Sequence, residues 1–343
     1  MRRPFALSKA RRRNLKAAPV LSFSPHPIFR NPDVMTLLPR WQSRKQTLEG
    51  IPLEDRLFEV EPGSHTLGRC HWQPDPKRHP TLLLVHGFEG SSESHYMLGI
   101  AGKAWRAGLN VIRLNQRNCG GTEHLTPTLY HSGMFGDFLA IAQELSSRDG
   151  LEAIWLAGYS MGGNLVLNAA GRAGALPPIL KGVVAVCPNI HPALAVEALQ
   201  RPRNWIYQWH FLASLKARVR RKARFFPGKY DLSRLNQIRS LPEFDDVYTA
   251  PAGGYADAAD YYERTGARHV IGHITVPTLI ITAQDDPFIP YGGFELPALR
   301  TNRWIQLVAP AHGGHCGFLQ HPRRDEDIYW AENRLVEFAR DNQ

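Results

Sequence analysis

Long apolar runs are missing from this 343-residue chain. No window approaches the ~18 uninterrupted apolar residues of a membrane span, so none is expected. Cysteine is scarce: Cys70, Cys119, Cys187 and Cys316 are scattered without a Cys-x-x-Cys pair. That spacing signals neither a zinc ribbon nor a disulfide framework, and it suits a reducing cytoplasm. No apolar core follows Arg2 and Arg3, which argues against a secretory or twin-arginine leader. The acid-poor start, with Asp33 as its first carboxylate, fits an organellar transit peptide only in a eukaryotic source. There is no internal repeat, and no low-complexity segment beyond the amino-terminal arm, so solenoid and fibrous architectures are excluded.

Negative charge is also in short supply, 31 Asp and Glu against 41 Lys and Arg, for a formal net charge of +10. Much of the excess is localised. One cluster (Arg2, Arg3, Lys9, Arg11, Arg12, Arg13, Lys16) makes residues 1–30 a basic, solvated arm. The other (Lys216, Arg218, Arg220, Arg221, Lys222, Arg224) reads either as a solvated helix face or as a surface for anionic lipid. Peripheral contact with an anionic membrane therefore stays open. Nucleic acid is not expected as a partner, because no recognition module appears.

A hydrophobic content of 43% is enough to bury one large α/β domain over residues 31–343. Short extended segments at 57–60 and 67–72, parted by Pro62-Gly63, read as antiparallel opening strands. From Thr81 onward, buried strands (81–85, 110–114, 154–157, 182–186, 278–282, 304–308) are interspersed with helical stretches (96–107, 164–173), and a final helix is expected over 325–340. Near-continuous apolar strands of this kind imply a mostly parallel central sheet flanked by helices on both faces. The pattern breaks at about 189–273, after the sixth strand, where aromatic residues and the second basic cluster read as a helical cap insertion over the strand ends.

The most informative motif is Gly158-Tyr159-Ser160-Met161-Gly162, lying between the strand at 154–157 and a helical stretch. Strand, tight turn and helix are what a nucleophile elbow requires, and its strained turn leaves room only for glycine on either side. Ser160 is the candidate nucleophile. Serine-based acyl transfer also needs a base, a carboxylate to orient it, and N–H donors for the oxyanion. His315, in Ala311-His312-Gly313-Gly314-His315-Cys316-Gly317-Phe318, is the candidate base, with His312 as its rival. A zinc reading of this histidine pair fails on ligand count within the turn. Asp285 and Asp286 follow the strand at 278–282. Asp286 is preferred as the acid, given Pro290 four residues on and Ala283 three before it, whereas Asp285 is expected to cap the turn. The oxyanion donors are expected to be the backbone N–H groups of Phe88, in His86-Gly87-Phe88-Glu89-Gly90, and of Met161. His86 reads as a brace for that loop. No metal, nucleotide or prosthetic cofactor is needed for this chemistry.

These residues lie within a longer series of motifs. It runs Asn31-Pro32, Leu37-Leu38-Pro39-Arg40, His86 to Ser91, Arg117-Asn118-Cys119-Gly120-Gly121, Tyr130-His131-Ser132-Gly133, the elbow with Gly163-Asn164, Phe244-Asp245-Asp246, Gly254-Tyr255-Ala256-Asp257, Asp285-Asp286-Pro287-Phe288 and His312 to Phe318. In content and order the chain resembles the YheT-like family of α/β-hydrolases, carboxylesterases with lipid-acting eukaryotic members. Asp33-Val34 and Asn118 depart from the family pattern, away from the proposed triad. The resemblance implies the α/β-hydrolase fold, a Ser160-Asp286-His315 triad, and hydrolysis of carboxylic esters. Short- to medium-chain acyl esters, monoacylglycerol and other small-molecule or lipid esters are the expected substrates. An acyltransferase on the same fold, or a silent lipid-binding protein, is the alternative.

Overall fold

The computed structural model describes residues 21–172 and 176–342, so the named charges of the basic arm lie outside the described residues. Eight strands form one sheet: β1 (Glu54–Glu61), β2 (Ser64–His71), β3 (Thr81–Val85), β4 (Asn110–Asn115), β5 (Ile154–Tyr159), β6 (Leu180–Val186), β7 (Thr278–Ile281) and β8 (Ile305–Val308). Their order is β1-β2-β4-β3-β5-β6-β7-β8. The β1–β2 and β2–β4 pairings are antiparallel, and all later ones are parallel. The opening hairpin turns at Gly63, whose φ of 73° suits a residue without a side chain.

Alternation along the central strands divides the core. Leu83 and Val85 of β3, with Leu156 of β5, enter one apolar cluster, while Leu82 and Leu84, with Trp155 and Ala157, enter a second on the opposite face. Both faces are covered, which is why these strands show unbroken apolar character rather than a half-polar pattern. After α1 (Pro32–Leu37) come α2 (His95–Arg106), α3 (Gly136–Ser147) and α4 (Met161–Arg172). Phe138 and Ile141 of α3 and Leu165 and Val166 of α4 join the first cluster. Met97 and Ile100 of α2 join the second. Helix α3 is not among the expected helices, although Phe138, Ile141, Ala142 and Leu145 carry the helical spacing. It forms the crossover from β4 to β5, parallel strands that a hairpin cannot join.

Between β6 and β7 run α5 (Pro192–Gln200), α6 (Trp205–Phe225), α7 (Leu241–Phe244), α8 (Ala250–Gly253) and α9 (Ala258–Thr265). Helix α10 (Pro297–Thr301) precedes β8, and α11 (Trp330–Asp341) closes the chain. The last helix therefore starts later than the expected 325. Residues before it are drawn into extended pairing, with Leu319 bridged to Tyr329 and the Gln320 N–H donating to the Ile328 carbonyl at 2.8 Å. Among the described residues, no helix is long and apolar enough to cross a membrane.

The chain order reverses at β3, which has β4 on one side and β5 on the other. Ligand crevices in open α/β sheets form at such switch points, outside the carboxyl ends of the strands. The loop after β3 carries residues 86–90, and the turn after β5 carries Ser160.

Candidate active site

Ser160 has φ 53°, a left-handed conformation that a side chain rarely adopts. The turn is held from several sides. Ser160 N–H donates to the Val186 carbonyl at 2.8 Å, and the Ser160 carbonyl accepts from Asn164 N–H at 3.0 Å. Both flanking glycines are sterically required: a Cβ on Gly162 would lie 2.5 Å from the carbonyl oxygens of Val85 and His86, and one on Gly158 would collide with the Gly162 backbone. Tyr159 stacks on Tyr96 with ring centroids 4.3 Å apart, and the Tyr96 hydroxyl accepts from Gly87 N–H at 2.8 Å. The elbow and the β3 loop are thus tied together by one aromatic pair.

His315 and Asp286 are brought together from the loops after β8 and β7. Their Nδ1 and Oδ2 atoms are 2.7 Å apart, and the Asp286 side chain is wholly buried. Burial alone would lower the His315 pKa. The Asp286 carboxylate, through its charge and its hydrogen bond and with Cys187 adding to it, outweighs burial and raises it above the usual imidazole value. Ser160 and His315 line the same polar cavity, although no hydrogen bond joins them. Such contacts often tighten only when substrate is bound.

His312 is excluded from this pair. Its Nδ1 lies 3.1 Å from Asp285 Oδ2, and Asp285 Oδ1 accepts from Gly314 N–H at 3.0 Å. The expected division of labour between the aspartates is corrected here. Asp286 itself caps the turn, its Oδ1 accepting from Phe288 N–H at 3.1 Å and Ile289 N–H at 2.9 Å, while Asp285 pins the histidine loop. One carboxylate can do both because its second oxygen remains free for His315.

The ligand count on the histidine loop is also corrected. Cys316 lies in that turn, and Cys187 arrives beside it from the end of β6. One donor atom each from Cys187, His315 and Cys316 fall within 4.8 Å of one another.

Neither Phe88 N–H in the β3 loop nor Met161 N–H at the start of α4 has an acceptor among the described residues, whereas the Gly87 and Glu89 N–H groups beside Phe88 are bound to Tyr96 and Tyr130 hydroxyls. His86 is fully buried. Its Nε2 accepts from Gln116 N–H at 3.2 Å, and Gln116 Nε2 donates to the His86 carbonyl at 2.6 Å. Burial pulls its pKa down to about 4, so it stays neutral and braces the loop.

Several positioning residues escaped sequence reasoning. Thr36 Oγ1, from α1, accepts the His315 N–H at 2.8 Å, and Phe288 packs its ring 4.1 Å from the imidazole. Within the basic cluster, Arg218 and Lys222 are buried while Arg220, Arg221 and Arg224 are exposed, so the cluster is only in part a solvated face. Lys222 Nζ donates to the Thr126 and Glu123 carbonyls, and burial, with Lys229 adding to it, lowers its pKa to about 7. Arg218 pairs with Glu89 of the β3 loop at 2.9 Å. The signal was available in the spacing: Phe211, Leu215, Arg218 and Lys222 fall on one face of α6.

Two cavities meet at Ser160. The apolar one runs beneath the inserted helices past Met161, Leu199, Phe211, Leu215, Phe244 and Ile289. The polar one opens past Arg40, Glu89, Asn118, Ser214, Arg221 and His315.

Comparison with known proteins agrees with this architecture. Residues 80–322 match the family model described as alpha/beta hydrolase fold. The chain is 31% identical over 325 residues to "Putative esterase YheT" of Escherichia coli (strain K12), covering 92% of each chain. It is 29% identical over 295 residues to "Phospholipase ABHD3" of Mus musculus, covering 82% of this chain and 72% of that one. Among solved structures, the Pyrococcus furiosus esterase Pf2001 aligns with a TM-score of 0.56 at 15% identity, over 94% of this chain and 98% of that one.

Proposed function

Because this chain belongs to the α/β-hydrolase fold family, within the group that contains Escherichia coli YheT, we propose that it hydrolyses carboxylic esters through an acyl-serine intermediate. The observation that carries the reading is the buried Asp286–His315 pair, opening on the cavity where Ser160 stands at the tip of a strained elbow.

His315 takes the Ser160 proton as Oγ attacks the acyl carbon. The resulting imidazolium is stabilised by Asp286, which stays ionised and keeps Nδ1–H directed at itself so that Nε2 faces the serine. Negative charge on the former carbonyl oxygen is met by Phe88 and Met161 N–H groups, the second at the positive end of α4. His315 then returns its proton to the departing alcohol. Water, deprotonated by the same imidazole, releases the acid and restores Ser160.

The apolar cavity suits an acyl chain, and the polar cavity suits the alcohol half of the ester. A lipid ester has this division of character. The phospholipase name of the mouse relative makes acylglycerols and phospholipids the first compounds to try beside short- and medium-chain esters.

Contact with anionic lipid has its own support. On α6, Trp205, Ile206 and Trp209 are 62%, 57% and 65% exposed, while Tyr207 and Phe211 on the other side of the helix line the polar cavity. Arg220 and Arg224 continue the exposed face. Aromatic anchors followed by arginines on one helix face are what an interfacial helix presents to headgroups.

The test is hydrolysis of p-nitrophenyl acetate, butyrate and octanoate, monoacylglycerol and phosphatidylcholine by the purified chain and by Ser160→Ala. Turnover is expected to fall by about a millionfold in the variant. Equal rates in the two proteins would remove Ser160 from the chemistry.

A further inference from the structure

Two of the four cysteines flank the candidate base, and the proposed chemistry uses neither. Cys187 follows β6 at φ 43° and is fully buried; Cys316 follows His315 at φ 67° and lines the polar cavity. The Cys316 N–H donates to Cys187 Sγ at 3.3 Å, and the Cys187 thiol in turn faces the Gly314 carbonyl at 3.8 Å. Both sulfur atoms therefore sit beside the imidazole, Cys187 within the second core cluster and Cys316 packed against it.

We infer that Cys187, His315 and Cys316 form a binding site for a thiophilic divalent cation, zinc in particular, whose occupation shuts off hydrolysis by sequestering His315. The inhibitory consequence rests on the function proposed above; the metal site itself does not.

The donor set is two thiolates and an imidazole, the combination that softer metals select over magnesium or calcium. In a tetrahedral zinc site, with Zn–S near 2.3 Å and Zn–N near 2.0 Å, neighbouring donor atoms sit roughly 3.5 to 4 Å apart. The three donors here already lie within 4.8 Å of one another, so closing on the ion takes shifts of the order of an ångström. Three protein ligands leave a fourth position open toward the cavity, for water or a product carboxylate. Asp286, bonded to His315 Nδ1, supplies the carboxylate that commonly orients a zinc-binding histidine.

Binding is a proton-for-metal exchange with no change of oxidation state. Each thiol releases its proton to solvent as its S–Zn bond forms, and the imidazole contributes a lone pair. If Nε2 binds, the lone pair that would accept the serine proton is consumed. If Nδ1 binds, the remaining proton resides on Nε2. Either way the ring cannot act as a base. Without metal, burial raises the Cys187 thiol pKa and keeps that thiol protonated.

Two measurements on the chelator-treated full chain test the inference. In the first, Co2+ is titrated into Ser160→Ala while the near-ultraviolet thiolate-to-cobalt charge-transfer band is followed. A saturating band at one equivalent is expected, weakened at least about tenfold in affinity by adding Cys316→Ser or Cys187→Ser. In the second, ZnCl2 is titrated into wild type during p-nitrophenyl butyrate hydrolysis, with maleimide labelling of Cys316 followed in parallel. Zinc is expected to abolish turnover reversibly, with recovery on adding EDTA, and to protect Cys316 from label. The labelling arm needs no variant to fold. Absence of the cobalt band, or a band indifferent to both cysteine substitutions, overturns the site, as does labelling unaffected by zinc. A bound ion with undiminished turnover overturns the inhibition. An inactive wild type that still shows the band would instead count against the hydrolase reading.

Discussion

Replacing Arg218 with methionine should be among the most damaging single changes outside the reacting groups, because it strands a buried carboxylate. The Arg218 and Glu89 side chains are 5% and 3% exposed. Arg218 donates to Glu89 Oε1 at 2.9 Å, to the Asn118 carbonyl and to Cys119 Sγ, and its guanidinium lies 4.7 Å from the Tyr130 ring centroid. Glu89 keeps two neutral donors, the hydroxyls of Tyr130 and Ser214, and these cannot replace a cation. Breaking a buried pair by removing one partner costs about 3–5 kcal/mol, a large part of the roughly 5–15 kcal/mol that holds a domain folded. Glu89→Gln should cost a similar amount, since it leaves the arginine unpaired. The double variant Arg218→Met with Glu89→Gln removes both charges, so its cost should fall short of the sum of the singles by about 2 kcal/mol or more. Urea unfolding at neutral pH reads these differences from midpoints, provided the m-values agree. Because Glu89 adjoins Phe88, the single variants should also lose more in kcat than in KM. Single variants within about 1 kcal/mol of wild type, or strict additivity in the double, would refute this account of the joint between α6 and the β3 loop.

Activity should rise with pH as His315 loses its proton, and because Asp286 raises the His315 pKa, the acid limb should lie above pH 6.5. In Asp286→Asn the lowering effect of burial loses its main opponent and is countered only by Cys187, so the limb should move to lower pH while kcat falls by about 10⁴, a contrast that a pH-rate profile measures directly. Asp285→Asn should keep the limb in place and lose far less activity. Gly162→Ala should destabilise by at least about 1–3 kcal/mol, because the new methyl meets two carbonyl oxygens of the β3 loop; thermal or urea unfolding would show it. Arg220→Gln with Arg224→Gln should weaken binding to phosphatidylserine-containing vesicles by about 2 kcal/mol, near 1 kcal/mol for each arginine, in a sedimentation assay. Trp205→Ser with Trp209→Ser should weaken it even at high salt.

Local pattern alone determined the class of fold and the position of the elbow, since both rest on short-range physics. Apolar runs of strand length mark a sheet buried on both faces, and only glycine fits on either side of a strained serine. The helix at Gly136–Ser147 is legible in the spacing of Phe138, Ile141, Ala142 and Leu145 but was not read there, whereas the late start of the last helix depended on strand-like pairing between residues near 319 and 329. Other features required coordinates because their partners are far apart in the chain. Asp286 is preferred as the acid from spacing alone, but that it also caps its own turn while Asp285 holds the histidine loop is decided by how the β7 turn aims the two carboxyls. That α1 holds the His315 backbone through Thr36, that Arg218 turns inward to Glu89 while Arg220 faces water, and that Cys187 meets Cys316 across 129 positions are outcomes of packing. Composition and spacing specify what each residue can do; only the closing of the chain around a common core specifies what it has to do it with.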